Sequence, residues 1–133
     1  MANALYDKGR EKFLRGEISW NLNTIKCALV KTTLGYTVNL ATHEFYSDLT
    51  GVIAGSNAFG SKTTTIGVAD AADPIFTAVA PGDDGEAVII YRDTGVTTTS
   101  PLIAYIDTAL GLPVTPNGGD ITVKFDPLGI FKL

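Results

Sequence analysis

Short segments of alternating apolar and polar residues recur along this chain and constrain its fold more than any other feature. Residues 18–22 read "ISWNL" and residues 121–125 read "ITVKF", each with apolar side chains at every second position. A period of two places those side chains on one face of a β-strand. Eight segments are predicted as strands on this pattern, and they are residues 18–22, 25–29, 36–40, 64–68, 75–79, 86–93, 102–108 and 121–125.

The order and punctuation of these segments favour an antiparallel architecture. The segment "EAVIIYRD" (86–93) is apolar on both faces, which predicts a central strand. Asp84-Gly85 and Asn117-Gly118 are hairpin signals, because these residue types tolerate positive φ. A parallel sheet would need helical crossovers of about a dozen residues, and the middle of the chain offers none. We therefore predict an all-β fold, an antiparallel β-sandwich of jelly-roll-like type.

One short helix is predicted at the N-terminus, over residues 3–15. Asn3 is the expected N-cap and Gly16 the expected residue just beyond the C-terminus, while Gly9 weakens the helix by about 1 kcal/mol relative to Ala. So short a helix must pack against something, either its own β-domain or a neighbouring subunit. The predicted organisation is a helical arm over residues 1–16 and a β-sandwich domain over residues 17–133.

Composition excludes several classes of partner. The chain has 133 residues, of which 45% are hydrophobic and 18% charged, with a net charge of −4. Its ten Lys and Arg residues are scattered, whereas a nucleic-acid partner needs them clustered, so none is predicted. No apolar run approaches the roughly 18 residues that span a bilayer, so no membrane partner is predicted either.

The residues that could carry chemistry are few. His43, beside Glu44, is the sole histidine, and Cys27 is the sole cysteine and lies in an apolar run. One His and one Cys do not make an ordinary zinc site, and no serine stands in a nucleophile-elbow motif. We interpret His43 as a solvated turn residue or as the source of a single structural hydrogen bond, and Cys27 as a buried small apolar residue.

The acidic pairs Asp70/Asp73 and Asp83/Asp84 match no calcium-loop pattern and are interpreted as solvated turn residues. A loop-bound cation is the alternative reading. The prediction is a protein that is not an enzyme, with no catalytic residue, no cofactor and no metal.

Two features leave alternatives open. Residues 50–62 form a loop-like segment with apolar interruptions, which either packs on its own domain, the favoured reading, or reaches out as a contact arm. Most of the twelve aromatic residues lie in the predicted strands and read as core. A sugar-binding platform would need two or three of them on one exposed face.

Three stretches together carry a family resemblance: "ANALYDKGREKFL", "YTVNLATHEFYSD", and "GLPVTPNGGDITV" with the final "IFKL". The chain resembles small structural proteins of tailed-bacteriophage virions. The resemblance implies a capsid decoration, or cement, protein on the outer capsid surface of the virion, bound to the major capsid protein and forming a homotrimer. The alternative is a tail or fibre component that binds a host glycan. His43 lies in one of these stretches and looks like part of the family framework.

Both ends of the chain carry apolar residues that could pair with a sheet edge or a partner subunit. The expected interface residues are Leu5, Tyr6, Phe13, Leu14, Phe131 and Leu133.

Overall fold

The computed structural model describes residues 4–133, which are mostly strands and loops with one α-helix. The helix, α1, spans Asp7–Leu14, and two short 3-10 turns span Tyr46–Asp48 and Thr65–Gly67. The strands are β1 (Ala4–Leu5), β2 (Ile25–Val30), β3 (Val52–Gly55), β4 (Val68–Ala69), β5 (Ile75–Phe76), β6 (Ala87–Arg92), β7 (Leu102–Ile106), β8 (Ile121–Thr122) and β9 (Phe131–Lys132).

Five strands form one antiparallel sheet in the order β1-β7-β6-β2-β3. Cys27 of β2 lies opposite Ile90 of β6, and Ile89 lies opposite Tyr105 of β7. The predicted central strand, residues 86–93, is β6 and is the middle strand of the five, so that prediction is confirmed. Two further ladders, β4-β9 and β5-β8, contain two strands each.

The sheet is buried on both faces, which explains why its strands are apolar at nearly every position. Along β6, Val88 and Ile90 belong to one hydrophobic cluster, and Ala87, Ile89 and Tyr91 belong to the other. The first cluster is completed by large side chains from outside the sheet, among them Trp20, Phe59, Phe76, Val123 and Phe125. The second is covered by the segment after β2, through Tyr36, Val38, Leu40, Tyr46 and Leu49.

The helix is shorter than predicted and begins at Asp7, with Tyr6 as the N-cap residue. Asn3, the predicted cap, lies outside the described residues. Gly16 has φ +74° just beyond the helix, as predicted from its position. Gly9 faces β7, where an added Cβ would lie 2.5 Å from the Leu102 carbonyl oxygen. Glycine is needed here because helix and strand approach too closely for any side chain.

The predicted arm is joined to the β-structure along its length. Leu5 pairs with Ala104 of β7, and the Tyr6 amide donates to the Ile103 carbonyl at 3.0 Å. The Lys12 ammonium lies 3.1 Å from the Glu44 carboxylate, which ties the helix to the segment covering the second cluster. The N-terminal segment is therefore attached to the following residues by a strand pair, a backbone hydrogen bond and an ion pair. The single helix of the described residues is too short to cross a membrane.

Three predicted strands are wrong. Residues 18–22 and 36–40 contain turns and irregular backbone, and residues 64–67 lie mainly in a 3-10 turn in which Ile66 has φ +56°. In the first two, the apolar residues Trp20 and Tyr36 are buried by covering the sheet. In these two segments the alternation of apolar and polar residues indicated buried side chains such as Trp20 and Tyr36, but it did not indicate strand pairing.

The predicted loop at residues 50–62 contains an edge strand, β3, followed by the buried ring of Phe59. The hairpin predicted at Asp84-Gly85 is wrong, because the flanking strands β5 and β6 belong to different sheets. Gly85 instead bonds to Val114 across an isolated bridge and lies against Leu29, where an added Cβ would lie 2.5 Å from its side chain. The hairpin predicted at Asn117-Gly118 is also wrong, since β8 pairs with β5.

Candidate functional site

The two ends of the described chain meet on one surface. The Phe13 ring of α1 lies 6.1 Å from the Phe131 ring of β9, and the Phe131 ring lies 5.3 Å from Trp20. Strand β9 is held beside β4 by pairing of Phe131 with Ala69. Between helix and C-terminal strand lies an open groove of about 400 Å³, the terminal groove, lined by Leu5, Arg10, Phe13, Leu14, Lys132 and Leu133.

Four of the six predicted interface residues line this groove, but the six differ greatly in exposure. Leu14 is 90% exposed and Leu133 is 63% exposed. Phe13 and Phe131 are partly buried and pack against the first core cluster. Phe13, Leu14 and Leu133 form the apolar wall of a surface to which another molecule can bind.

Leu5 and Tyr6 have to be corrected as interface residues. Leu5 is 8% exposed and Tyr6 is completely buried, because β1 adds to the edge of β7 and carries both side chains into the core. Leu5 contributes only the floor of the groove, and Tyr6 is enclosed within its own domain. The sequence marks both residues as apolar and near the N-terminus, but it carries no signal for a two-residue strand.

The groove also carries two basic side chains, Arg10 and Lys132, that have no ion-paired or hydrogen-bonded partner among residues 4–133. Seven of the ten basic side chains bond to a carboxylate or a backbone carbonyl, and they are Lys8, Lys12, Arg15, Lys26, Lys31, Lys62 and Arg92. Within residues 4–133, the side chains of Arg10, Lys124 and Lys132 have no such partner. Arg10 and Lys132 line the terminal groove.

Lys124 lies in a depression that continues from the groove. A second depression shares Leu5, Arg10 and Lys132 with the terminal groove. A third shares Ile106 and Ile130 with the second and is lined by Lys124 and Asp126. The sequence carries no signal for the three cations, because they are scattered along it and come to one surface only when β1 pairs with β7, β9 with β4 and Lys124 with Leu110.

His43 belongs to a hydrogen-bonded chain that runs into the core. Its Nδ1 accepts from the Asn39 amide at 3.3 Å and lies 2.7 Å from the Tyr36 hydroxyl. The Tyr36 hydroxyl lies 2.7 Å from the hydroxyl of Tyr6. Since Nδ1 accepts from Asn39, the consistent arrangement has Tyr6 donating to Tyr36 and Tyr36 donating to Nδ1. Such a chain satisfies the hydroxyls of Tyr6 and Tyr36, so His43 has a structural hydrogen-bonding role, the second of the two interpretations of the sequence.

Burial makes these phenols poor acids. It raises the pKa of Tyr36 to about 12, and it raises the pKa of Tyr6 further, with the hydrogen bond to Tyr36 acting in the same direction. Both stay neutral near pH 7 and act as hydrogen-bonding groups. The nearby Asp48 carboxylate accepts from the Glu44 and Phe45 amides at 2.8 and 3.0 Å. Those bonds lower the pKa of Asp48, that of Glu44 most.

Cys27 is completely buried in β2, and burial raises its pKa to about 12. The thiol therefore stays protonated and shielded, which is opposite to the environment of a reactive cysteine. Its backbone amide donates to the Ser56 hydroxyl at 2.9 Å.

Three of the acidic residues singled out in the sequence accept hydrogen bonds, Asp70 within its own turn and Asp73 and Asp84 from distant parts of the chain. Asp70 and Asp73 accept from the backbone amides of Ala71 and Phe125, and Asp84 accepts from the Thr115 hydroxyl. Over residues 4–133 no three His, Cys, Asp or Glu side chains are grouped as ligands of one metal ion.

All twelve aromatic residues fall within the described range, and each is buried or half-buried. A shallow depression lies beside the Tyr46–Tyr91 pair, whose rings lie 4.8 Å apart, with Asp93 and Ser100 nearby. Two or three rings on one exposed face, the arrangement that stacks against a sugar, are not found.

No protein-family model matches this chain, and no curated protein sequence matches it significantly.

Proposed function

We propose that this protein is a capsid decoration protein of a tailed bacteriophage. In this role it lies on the outer capsid surface of the virion as a homotrimer and bridges neighbouring major capsid proteins. The observation that carries the proposal is the terminal groove, where Leu14 and Leu133 stand exposed beside Arg10 and Lys132, two cations that have no partner within residues 4–133. The sequence resemblance described above supplies the identity of the assembly.

The mechanism is additive stabilisation. Covering a side chain such as Leu14 stabilises a contact by about 1.5–3 kcal/mol, and many equivalent contacts on one shell add up through multivalency. The sheet is buried on both faces and the packed interior resists deformation, which suits a protein that must withstand force on a shell. The function requires no chemical step, and neither Cys27 nor the His43 chain is assigned one.

We also propose that the fold is a β-sandwich of jelly-roll-like type. What supports this is the position of the two small ladders. Residues Ala69, Phe76, Ile121 and Phe131, from strands β4, β5, β8 and β9, pack in or against the cluster on one face of the five-stranded sheet.

The alternative, a tail or fibre component that binds a host glycan, would use the Tyr46–Tyr91 depression. Both rings are half-buried or buried, which leaves little surface for stacking. A glycan array probed with the labelled protein tests this alternative, and a hit lost on Tyr46→Ala would favour it over decoration.

The test of the decoration role uses shells that lack this protein. Removing residues 1–15 is unsuitable, because it would also remove β1 and the buried Tyr6. We expect Leu14→Asp with Leu133→Asp to lose co-sedimentation with the shells, while Leu22→Asp, at an 87% exposed leucine outside the groove, binds like wild type. Undiminished binding of the double variant would contradict the proposed use of the groove.

A further inference from the structure

The surface of this protein carries two patches whose shape and charge match each other. The first is the terminal groove, an apolar channel flanked by Arg10 and Lys132. The second, the acidic corner, is the depression where Leu34 stands with the carboxylates of Asp83, Asp84 and Glu86.

Leu34 is an apolar knob. It is 96% exposed, the highest value among the large hydrophobic side chains of the described residues. It gains nothing from the fold of its own chain, whereas a groove walled by Phe13, Leu14 and Leu133 would remove it from water. Burying a leucine is worth a factor of ten or more in affinity.

The charges around the two patches are opposite. Three carboxylates surround Leu34, and of these Asp83 alone is paired with a cation, Lys31, at 2.9 Å. Asp84 and Glu86 accept hydrogen bonds from neutral groups, so the acidic corner keeps a net negative charge. Two cations without partners flank the groove. Three isolated cations on this surface are too few to track a phosphate backbone, which favours an acidic protein surface over nucleic acid.

One copy cannot join its own two patches. Leu34 follows β2, while the groove is built on β1, and β7 and β6 lie between these strands in the sheet. At about 4.8 Å per strand, β1 and β2 are about 14 Å apart. A contact between the terminal groove and the acidic corner therefore has to join two copies of the chain.

We propose that the acidic corner of one copy docks in the terminal groove of the next, with Leu34 inserted between Phe13 and Leu133. The contact is head-to-tail, and such contacts close into a ring or continue as a chain. A ring of three satisfies every groove in the proposed homotrimer. This inference rests on the proposed function and names a second copy of the chain as the partner in the groove, so Leu14→Asp with Leu133→Asp would lose the shell by breaking the trimer that binds it.

The test is sedimentation equilibrium of the full chain over a range of concentrations. Wild type is expected to self-associate, with a dissociation constant that weakens about tenfold from low to high salt. Leu34→Asp is expected to be monomeric, while Leu22→Asp associates like wild type. Thermal unfolding of each variant checks that it is folded.

A charge swap separates this contact from any other. Arg10→Glu with Lys132→Glu makes the groove acidic, and Asp83→Lys with Asp84→Lys makes the corner basic. Each double variant alone brings like charges together and is expected to stay monomeric. In an equimolar mixture every contact between one variant and the other joins opposite charges, so the mixture is expected to associate in alternating pairs and chains, since a ring of three cannot alternate two variants.

Three results would overturn the inference: a monomeric wild type, self-association of the variant with the acidic groove, or a mixture that stays monomeric. A wild type that is monomeric yet coats shells would refute this contact and leave the decoration role intact. If the protein self-associates as proposed but is absent from virions, the contact between copies stands and the decoration role is refuted.

Discussion

Tyr36 holds together the only hydrogen-bonded chain of side chains that runs from the core to His43 within residues 4–133, and its hydroxyl is the group to remove first. Tyr36→Phe deletes two contacts of 2.7 Å, one to Tyr6 and one to His43. His43 is only half-buried and retains the Asn39 amide, so its loss is small. Tyr6 is completely buried, and its hydroxyl would be left without a partner.

The expected cost follows from that orphaned hydroxyl. Leaving a buried donor unsatisfied costs about 1–3 kcal/mol, and each lost neutral hydrogen bond costs about 1 kcal/mol. We expect Tyr36→Phe to lower the free energy of unfolding by about 2–3 kcal/mol. Tyr6→Phe leaves Tyr36 donating to His43, so its expected cost is about 1 kcal/mol.

The double variant decides whether the chain acts as a unit. Adding Tyr6→Phe to Tyr36→Phe removes the orphaned hydroxyl, so about 1 kcal/mol should be recovered relative to Tyr36→Phe alone. The assay is urea unfolding followed by the fluorescence of buried Trp20 and by circular dichroism, at unchanged m-value. A Tyr36→Phe cost below about 0.5 kcal/mol, or a double variant that costs the sum of the two, would refute the reasoning.

Three further predictions concern single positions. Gly9→Ala places a Cβ 2.5 Å from the Leu102 carbonyl oxygen and should lower the free energy of unfolding by about 1–3 kcal/mol. The control Gly55→Ala has open space at its Cβ and should change that free energy by less than about 0.5 kcal/mol. Equal melting temperatures of the two variants would contradict this prediction. Cys27 should react with a thiol reagent only after urea unfolding, and rapid reaction of the folded protein would be inconsistent with its burial. Because the pKa of Asp48 is lowered in the folded protein, its stabilising contribution is complete above the unfolded pKa of about 3.9 and is lost as pH falls through the folded pKa. Asp48→Asn should therefore flatten the acid side of a plot of unfolding free energy against pH. An unchanged acid side in the variant would disprove this prediction.

The strands that could be predicted are those in which burial and pairing coincide. Residues 86–93 and 102–108 are apolar on both faces, which is possible for a strand only in the interior of a covered sheet, and they became β6 and β7. Residues 36–40 show the limit of this reasoning. Tyr36 there is buried as part of a cover over the sheet, and such a cover needs apolar side chains without needing a ladder.

The groove could be predicted only in part. Leu14 and Leu133 stand out in the sequence as apolar residues near the chain ends, and both proved to be exposed. Arg10 and Lys132 are single charges 122 positions apart, and only the placement of α1 beside β9 makes them neighbours of one groove. Leu34 gave no signal either, because exposure is a property of the folded loop.

The central claim is that the protein coats a phage shell, and its copy number in purified virions tests that claim most directly. Quantitative mass spectrometry against the major capsid protein gives the ratio of the two chains. We predict a ratio near one or a simple fraction of it, as repeated sites on the shell require. A few copies per particle, or none, would contradict the decoration role.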